Sequence, residues 1–272
     1  EPEPTVKCAM LLAGLDAEGD TELYQDTGGD DDIEVLLKAA GVRVDKGRAE
    51  GEEGHRIALS GPAEAAAASH DLPVDPDAVL PVLLAAAALG RSELTIAGVG
   101  NDWKTRRLLD LIRRMNVQMQ VQVGRSASGF MVRQIQVRGS ELRAIKISGQ
   151  HADLFLDALP IFAAIGARTP GETLIRDSEA LRHGGTDRVA LTVEGLRAME
   201  ARVGEVPDGL VVQGGRPLQG AEVDACGDPW LTVAFVLAGQ GAEGETSIHN
   251  PGPLDAVAPG LLEALEGVSE TG

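Results

Sequence analysis

The sequence predicts an α/β fold built from about four repeated βαβαββ units. Four times an alanine-rich apolar stretch leads into a glycine, a short strand of alternating residues and a charged helix. The glycines are Gly19, Gly90, Gly171 and Gly244. Because this period exceeds that of ordinary solenoid repeats, each unit is predicted to be a small packed subdomain.

Each unit opens on an apolar stretch, and the four stretches span residues 8–15, 77–89, 157–167 and 228–239. After each glycine the residues alternate with a period of two, which predicts strands at 21–24, 92–96, 172–175 and 245–248. Aromatic residues make up only 3% of the chain, so Ala, Val and Leu must fill the core. We therefore expect close contact between helices and sheets through alanine.

A helix with apolar residues at three- and four-residue spacing follows each strand, at 33–40, 105–115, 189–201 and 259–265. Pairs of strands then close the first three units, at 42–44 with 56–59, 118–123 with 130–137, and 202–206 with 210–212. Turn residues between the members of a pair, such as Pro207-Asp208-Gly209, predict hairpins. The fourth unit ends without such a pair.

Composition indicates a globular protein and excludes several classes of partner. Hydrophobic residues make up 43% of 272 positions, enough for a substantial core. A net charge of −18 argues against nucleic acid and anionic membranes as partners. With no apolar run of about 18 residues and an opening of Glu1-Pro2-Glu3-Pro4, we expect neither a membrane span nor a signal peptide, and a cytoplasmic location. Cys8 and Cys226 are predicted to be buried thiols. The histidines show no metal-ligand spacing, so we expect neither a metal site nor a cofactor.

The predicted domain boundary falls within 60–76, where alanines, a histidine and prolines interrupt the pattern. It assigns one unit to residues 1–68 and three units to residues 69–272. A single unit should leave apolar helix surface exposed near Cys8 to Leu15, which predicts self-association or a protein partner.

An ordered series of motifs resembles the EPSP synthase (3-phosphoshikimate 1-carboxyvinyltransferase) family of the enolpyruvyl transferase superfamily. The motifs follow the family's order and spacing: Val6 to Leu15, Ser92 to Gly100 with Arg106 to Met115, Asp157 to Pro160, Ile175 to Arg182, Thr186 to Arg188, and Gly227-Asp228. The resemblance implies two domains of three βαβαββ units each, in an inside-out α/β barrel-like arrangement with helices inside and sheets outside. This chain resembles the C-terminal three-fifths, which corresponds to one unit of the first domain and all three of the second.

The resemblance also implies a reaction, in which phosphoenolpyruvate donates an enolpyruvyl group to the 5-hydroxyl of shikimate 3-phosphate and phosphate leaves. Asp157 matches the family's candidate base, although it could instead cap a helix beginning near Leu159. Arg188 matches an arginine that binds phosphoenolpyruvate in a Lys-Glu-Ser-Asp-Arg motif, although it could instead be a surface arginine or pair with Asp187.

Other positions depart from the family pattern, and most departures remove charge. Gly184 and Gly185 replace the motif's lysine and glutamate, leaving backbone N–H groups that could hold an anion in a nest, or a flexible loop. Pro229-Trp230 replaces a histidine and a second arginine after Asp228, which is predicted to cap a helix. The remaining departures are Gly29-Asp30 for a serine and arginine, Thr5 for a glutamine and Ala256 for a lysine.

Three hypotheses from different classes remain open. The first is a non-catalytic homologue that acts by binding or scaffolding, and it is the one that the loss of phosphate-binding cations favours. The second is an enzyme with a changed, less anionic substrate held by Asp157, Arg188 and the glycine pair. The third is a shikimate-pathway enzyme, active in aromatic amino acid biosynthesis, whose site is completed by another chain.

Overall fold

The computed structural model describes residues 4–25, 32–48, 54–90, 92–183 and 185–269, and it confirms the predicted α/β repeats. The chain divides into two compact units. Unit 1 comprises Glu1–Pro73, Gly100–Trp103 and Val123–Arg133, and unit 2 comprises Val74–Val99, Lys104–Gln122 and Gln134–Gly272. The assignment of residues 1–68 to one domain of the family architecture stays a prediction.

Unit 1 is a three-stranded antiparallel sheet with two helices. In chain order the elements are α1 Pro4–Gly14, β1 Gly19–Gln25, α2 Asp32–Ala39, β2 Val44–Arg48 and β3 His55–Gly61, with strand order β1-β3-β2. Its small core includes Leu11, Leu37 and Ile57. A buried ion pair, 2.7 Å between Lys7 Nζ and Glu34 Oε1, joins α1 to α2.

Unit 2 contains the other three repeats. Its helices are α3 Pro76–Ala88, α4 Trp103–Arg114, α5 Gln150–Leu154, α6 Leu159–Arg168, α7 Arg188–Ala198, α8 Pro229–Gly239 and α9 Leu261–Ser269. The longer strands that lie wholly or mostly in unit 2 are β4 Glu93–Gly100, β5 Gln118–Arg125, β6 Met131–Arg138, β8 Gly171–Ile175, β9 Arg202–Val206 and β10 Gly209–Gly214. The short strands are β7 Lys146–Ile147, β11 Leu218–Gln219, β12 Glu222–Asp224, β13 Ala242–Glu243 and β14 Ser247–His249.

Two repeats of unit 2 share a strand pattern, and the last repeat keeps only its parallel pairing. A short strand enters parallel to a longer one, as β7 does beside β8, and an antiparallel hairpin extends the sheet in the order β7-β8-β10-β9. In the preceding repeat the entering strand is reduced to a parallel bridge between Val74 and Val99, beside the order β4-β6-β5. In the last repeat β11 pairs with β13 and β12 with β14, both parallel.

The core of unit 2 is formed by helices that are apolar on nearly every side. Every residue of α6 from Leu159 to Ala167 is buried, and α8 is buried from Leu231 to Phe235. Glycines permit close contacts: a Cβ on Gly166 would lie 2.8 Å from Thr173 Oγ1, and one on Gly195 would lie 2.4 Å from the Phe235 ring. The small residues that dominate the sequence thus bring the elements together, as expected.

Three sequence predictions need correction. The strand predicted at 245–248 begins only at Ser247, because Gly244 turns the chain with a φ of +92°. The helix predicted at 189–201 ends at Ala198, because Glu200 adopts a φ of +62°. The prediction of two buried thiols is wrong, since Cys226 is exposed and Cys8 is half-buried.

Candidate active site

Three helices of unit 2 begin around one arginine. Arg188 is the first residue of α7, Asp228 is the N-cap of α8, and Asp157 lies in a 3₁₀ turn, Leu156–Ala158, that leads directly into α6. Arg188 Nη1 donates to Asp157 Oδ1 at 2.5 Å, and Arg188 Nε donates to Asp228 Oδ2. Helix N-termini carry partial positive charge, so this is a place where carboxylates or other anions are stabilised.

Asp228 has two roles at this junction. Its Oδ1 accepts from the backbone N–H of Trp230 at 2.8 Å and of Leu231 at 3.1 Å, and Pro229 takes the first helical position. Its other oxygen accepts from Arg188, and only 8% of the side chain is exposed. The predicted cap at Asp228 is therefore confirmed, and the same carboxylate also neutralises the arginine.

The Arg188 guanidinium is held in its charged form. Burial works to lower its pKa, but the hydrogen bonds and charges of Asp228 and Asp157 outweigh burial, so the pKa is raised. The side chain is 23% exposed, while that of Asp157 is 61% exposed. Solvent, and any ligand, therefore reaches the pair from the Asp157 side.

A second ion pair lies in the same electrostatic neighbourhood. Lys104 Nζ is 2.6 Å from Asp77 Oδ2 and 5.9 Å from the centre of the Phe155 ring. Burial raises the pKa of Asp77, Lys104 opposes the rise, and the charge of Asp157 adds to it. We call these five residues the Arg188 cluster: Asp77, Lys104, Asp157, Arg188 and Asp228. It holds three carboxylates and two cations.

Asp187 adjoins Arg188 in sequence but serves a different purpose. Its Oδ1 caps α7 by accepting from Ala190 N at 2.9 Å, and its Oδ2 lies 3.4 Å from Arg182 Nη1. Arg182 also bonds Glu205 at 2.7 Å and the Val206 carbonyl at 3.3 Å. Arg182 therefore ties the segment before α7 to the β9–β10 hairpin.

The structure brings Asp157 and Arg188 together, but it overturns two of the alternatives considered for them. Asp157 does not cap α6, because that helix has Ala158 at its N-cap and no side-chain capping bond. Arg188 does not pair with Asp187, because the Asp187 carboxylate is turned toward α7 and Arg182. Both side chains instead bond groups distant in sequence.

The other predicted positions are less enclosed. Gly185 is exposed with a φ of +101°, and a Cβ there would meet open space. Gly184, Gly29 and Asp30 lie outside the described residues. Thr5 and Ala256 are exposed, and Trp230 is half-buried against the core.

Sequence reasoning missed Asp77 and Lys104 as members of the cluster. One signal was available, because Asp77 opens an apolar helix of the same kind as the one that Asp157 precedes, in an equivalent place of the repeat. Lys104 had no such signal, because its role depends on α4 beginning beside α3.

Among the described residues, no group of three or more His, Cys, Asp or Glu side chains is arranged to hold a metal ion. Nor does this part of the chain contain a helix long and apolar enough to cross a membrane.

Comparison with known proteins agrees with the resemblance. The family model for EPSP synthase (3-phosphoshikimate 1-carboxyvinyltransferase) matches residues 4–265. The 3-phosphoshikimate 1-carboxyvinyltransferase of Desulforamulus reducens is 32% identical over 263 residues, and that of Roseiflexus sp. is 35% identical over 268 residues. Each alignment covers 97% of this chain and 60% of the relative.

Solved structures show the same fold. An EPSP synthase from Acinetobacter baumannii superposes with a TM-score of 0.79 at 24% identity, covering 97% of this chain and 60% of that one. The enolpyruvyl transferase NikO from Streptomyces tendae superposes with a TM-score of 0.68 at 25% identity, covering 95% and 57%. The chain thus spans about three-fifths of the length of these relatives. It has the enolpyruvyl transferase fold and belongs to the EPSP synthase family.

Proposed function

We propose that this chain, by itself, is a non-catalytic member of the EPSP synthase family that acts by binding a partner. The observation that carries the proposal is the state of Arg188, the arginine that resembles a phosphoenolpyruvate ligand. Two carboxylates, those of Asp157 and Asp228, already bond its guanidinium. An anionic substrate would have to displace or outcompete them to use this charge.

Charge balance in the Arg188 cluster supports the proposal. Three carboxylates against two cations leave the cluster with a formal excess of negative charge. The family reaction uses two substrates that each carry a phosphate and a carboxylate, so catalysis requires an excess of cations. A net negative cluster would repel both substrates.

The surrounding substitutions act in the same direction. Gly184 and Ala256 stand where the family motifs have lysines, and Trp230 stands where they have an arginine. Losing one charge-assisted hydrogen bond to a substrate costs roughly 1.5–3 kcal/mol. Several such losses together remove most of the binding energy that a transferase would use in its transition state.

A second candidate function is enzymatic. The Asp157 carboxylate is 61% exposed beside a cation, which keeps a potential base next to a group that binds anions. Asp157 and Arg188 together would suit a less anionic ligand. Asp187 caps α7 beside them, and the N–H groups of Gly184 and Gly185 lie nearby in sequence. Alternatively, another chain would supply the missing cations for phosphoenolpyruvate and shikimate 3-phosphate.

The test is calorimetric titration of the chain with phosphoenolpyruvate and shikimate 3-phosphate, separately and together, alongside a phosphate-release assay. We expect no saturable heat and no phosphate release. The comparison variants are Arg188→Met, and Arg113→Gln as a matched loss of one exposed arginine on α4. Synergistic binding that Arg188→Met abolishes and Arg113→Gln leaves intact would refute the non-catalytic proposal and favour the enzyme.

The surface of α1 suggests where a partner binds. Val6, Met10 and Leu12 are 49%, 48% and 50% exposed, while Lys7 and Leu11 point into unit 1. We propose that this apolar face binds polypeptide, either a second copy of the chain or another protein. Sedimentation velocity at increasing concentration should show self-association that Met10→Glu weakens. A concentration-independent monomer would leave a different protein as the partner, to be sought by cross-linking from Cys8 on the same helix.

A further inference from the structure

The strand β5 lies at the outer edge of its sheet. The strand order β4-β6-β5 leaves one side of β5 without a neighbouring strand. The first five residues of the strand, Gln118 to Gln122, belong to unit 2. An edge strand presents a row of unpaired backbone N–H and C=O groups, and such a row is a template for a strand from another chain.

The outward-pointing groups of this edge belong to Met119 and Val121. The backbone N–H of Gln118 points to the β6 side, where it donates to Ser140 Oγ at 2.8 Å. Because the N–H and C=O groups of consecutive strand residues alternate in direction, those of Met119 and Val121 point away from β6. Among the described residues, no turn, loop or cap hydrogen bond reaches the backbone of Met119 or Val121. These groups are therefore open to a further strand.

The β5 edge lacks the charges that protect other outer strands. The outer strands β1, β2 and β9 each carry at least two charged residues, and in β9 the Val203 carbonyl also accepts from Arg197 Nε at 3.0 Å. Residues 118–124 of β5 contain neither a charged residue nor a proline. Charges and prolines on an edge oppose pairing with another chain, so pairing is less opposed at β5 than at those strands.

The sequence of this edge is complementary to itself. Gln118, Gln120 and Gln122 are exposed on one face, and Met119 and Val121 are half-buried on the other, packed against the core of unit 2. When two copies pair antiparallel about a two-fold axis perpendicular to the sheet, opposite residues lie on the same face. Glutamine then meets glutamine, and an apolar residue meets an apolar residue. A second copy of this chain therefore fits the edge by symmetry.

We propose that the chain forms a two-fold symmetric dimer through β5, with Gln120 at the axis. In this register Gln120 faces its own counterpart, and Gln118 faces Gln122 of the second copy. Met119 of each copy exchanges two backbone hydrogen bonds with Val121 of the other, so about four bonds cross the interface. The facing glutamine side chains supply amide donors and acceptors to one another. The two sheets become one continuous sheet.

The nearby basic residues are far enough from their counterparts to allow this dimer. Arg138 of β6 lies beside Gln118, because its carbonyl and the Gln118 N–H both bond Ser140 Oγ. In the proposed register its counterpart is about 20 Å away, roughly three strand spacings across the sheet and about four residues along it. This distance is about two Debye lengths at physiological ionic strength, so the repulsion is screened. The interface is small, and we expect a dissociation constant on the order of 100 μM.

The experiment is sedimentation velocity of the chain carrying Met10→Glu, so that association through α1 is weakened in every sample. Between about 20 and about 500 μM, a range that brackets the expected constant, we expect a monomer–dimer equilibrium. Gln120→Lys places two like charges opposite each other and should weaken dimerisation about fivefold or more. Gln134→Lys adds the same charge at an exposed position of β6, one strand in from the interface, and should leave dimerisation unchanged.

Disulfide formation tests the register. In a chain with Cys8→Ser and Cys226→Ser, Gln120→Cys should form an intermolecular disulfide under mild oxidation, because its counterpart faces it directly across the axis. Gln134→Cys is the matched control and should stay reduced. Three outcomes would overturn the proposal: a monomer at every concentration, an equal loss of dimer in Gln134→Lys, or a disulfide that forms no faster in Gln120→Cys than in Gln134→Cys. Each concerns β5 alone, so it leaves the proposed binding through α1 to its own test.

Discussion

Replacing Asp228 separates its two roles at the start of α8. Asp228→Ala removes both the cap on the Trp230 and Leu231 N–H groups and the carboxylate that bonds Arg188. Asp228→Asn keeps a good capping side chain but removes the negative charge. The difference between the two variants therefore measures the cap, and the effect of the Asn variant measures the charge on Arg188.

The magnitudes follow from burial. Loss of an N-cap costs about 1 kcal/mol of unfolding free energy. Loss of a charge-assisted hydrogen bond between side chains as buried as these costs roughly 1.5–3 kcal/mol. We expect Asp228→Ala to lower the unfolding free energy by roughly 2.5–4 kcal/mol and Asp228→Asn by roughly 1.5–3 kcal/mol. Asp157→Asn, at a carboxylate that is 61% exposed, should cost about 0.5 kcal/mol.

Urea unfolding followed by tryptophan fluorescence measures these values, because Trp230 is the second residue of α8. Equal losses in the Ala and Asn variants of Asp228 would show that the cap contributes nothing. A loss in Asp157→Asn as large as that in Asp228→Asn would refute the argument from burial.

Three further predictions test other contacts. Gly195→Ala should lower the unfolding free energy by about 1–3 kcal/mol despite the better helix propensity of alanine, because its methyl group would overlap the Phe235 ring. Adding Phe235→Leu should recover part of this loss in thermal unfolding, and a single variant more stable than the parent would contradict the prediction. Lys7→Met should lower the unfolding free energy in urea by about 3–5 kcal/mol, because it leaves the buried Glu34 carboxylate unpaired. Combining it with Glu34→Leu should recover most of the loss. A double variant no more stable than Lys7→Met would contradict the prediction. Hydrogen bonds from Arg56 and Tyr24 lower the pKa of the Glu22 carboxyl to about 2. Its contribution to stability is therefore present above the ordinary pKa near 4.5 and is lost as the pH falls from there to about 2. A ¹³C titration of this carboxyl with a midpoint near 4.5 would contradict the prediction.

The periodicity of the sequence predicted most elements because burial alternates locally along the chain. The helices α2 and α4 and the hairpins β5–β6 and β9–β10 lie close to their predicted positions. Capping by Asp228 was predictable for the same reason, because its partners are two and three residues away. The predictions failed at Gly244 and Glu200, where a left-handed backbone conformation interrupts the pattern.

The candidate site was predictable only in part. Asp157 and Arg188 were chosen by resemblance, but their separation of 31 residues gave no reason to expect a bond between them. Local reasoning offered a helix cap as the alternative role of Asp157, because an aspartate just before an apolar helix usually caps it. That expectation was wrong because a distant guanidinium, not a nearby N–H group, faces its carboxylate.

The sequence alone determined the α/β class, the repeat, the alanine-rich packing and the negative net charge, because each of these depends on residue type and spacing along the chain. Tertiary structure decided which charges meet. The beginnings of α6, α7 and α8 converge on Arg188. Ion pairing depends on distances between side chains far apart in sequence, and the packing of buried helices sets those distances.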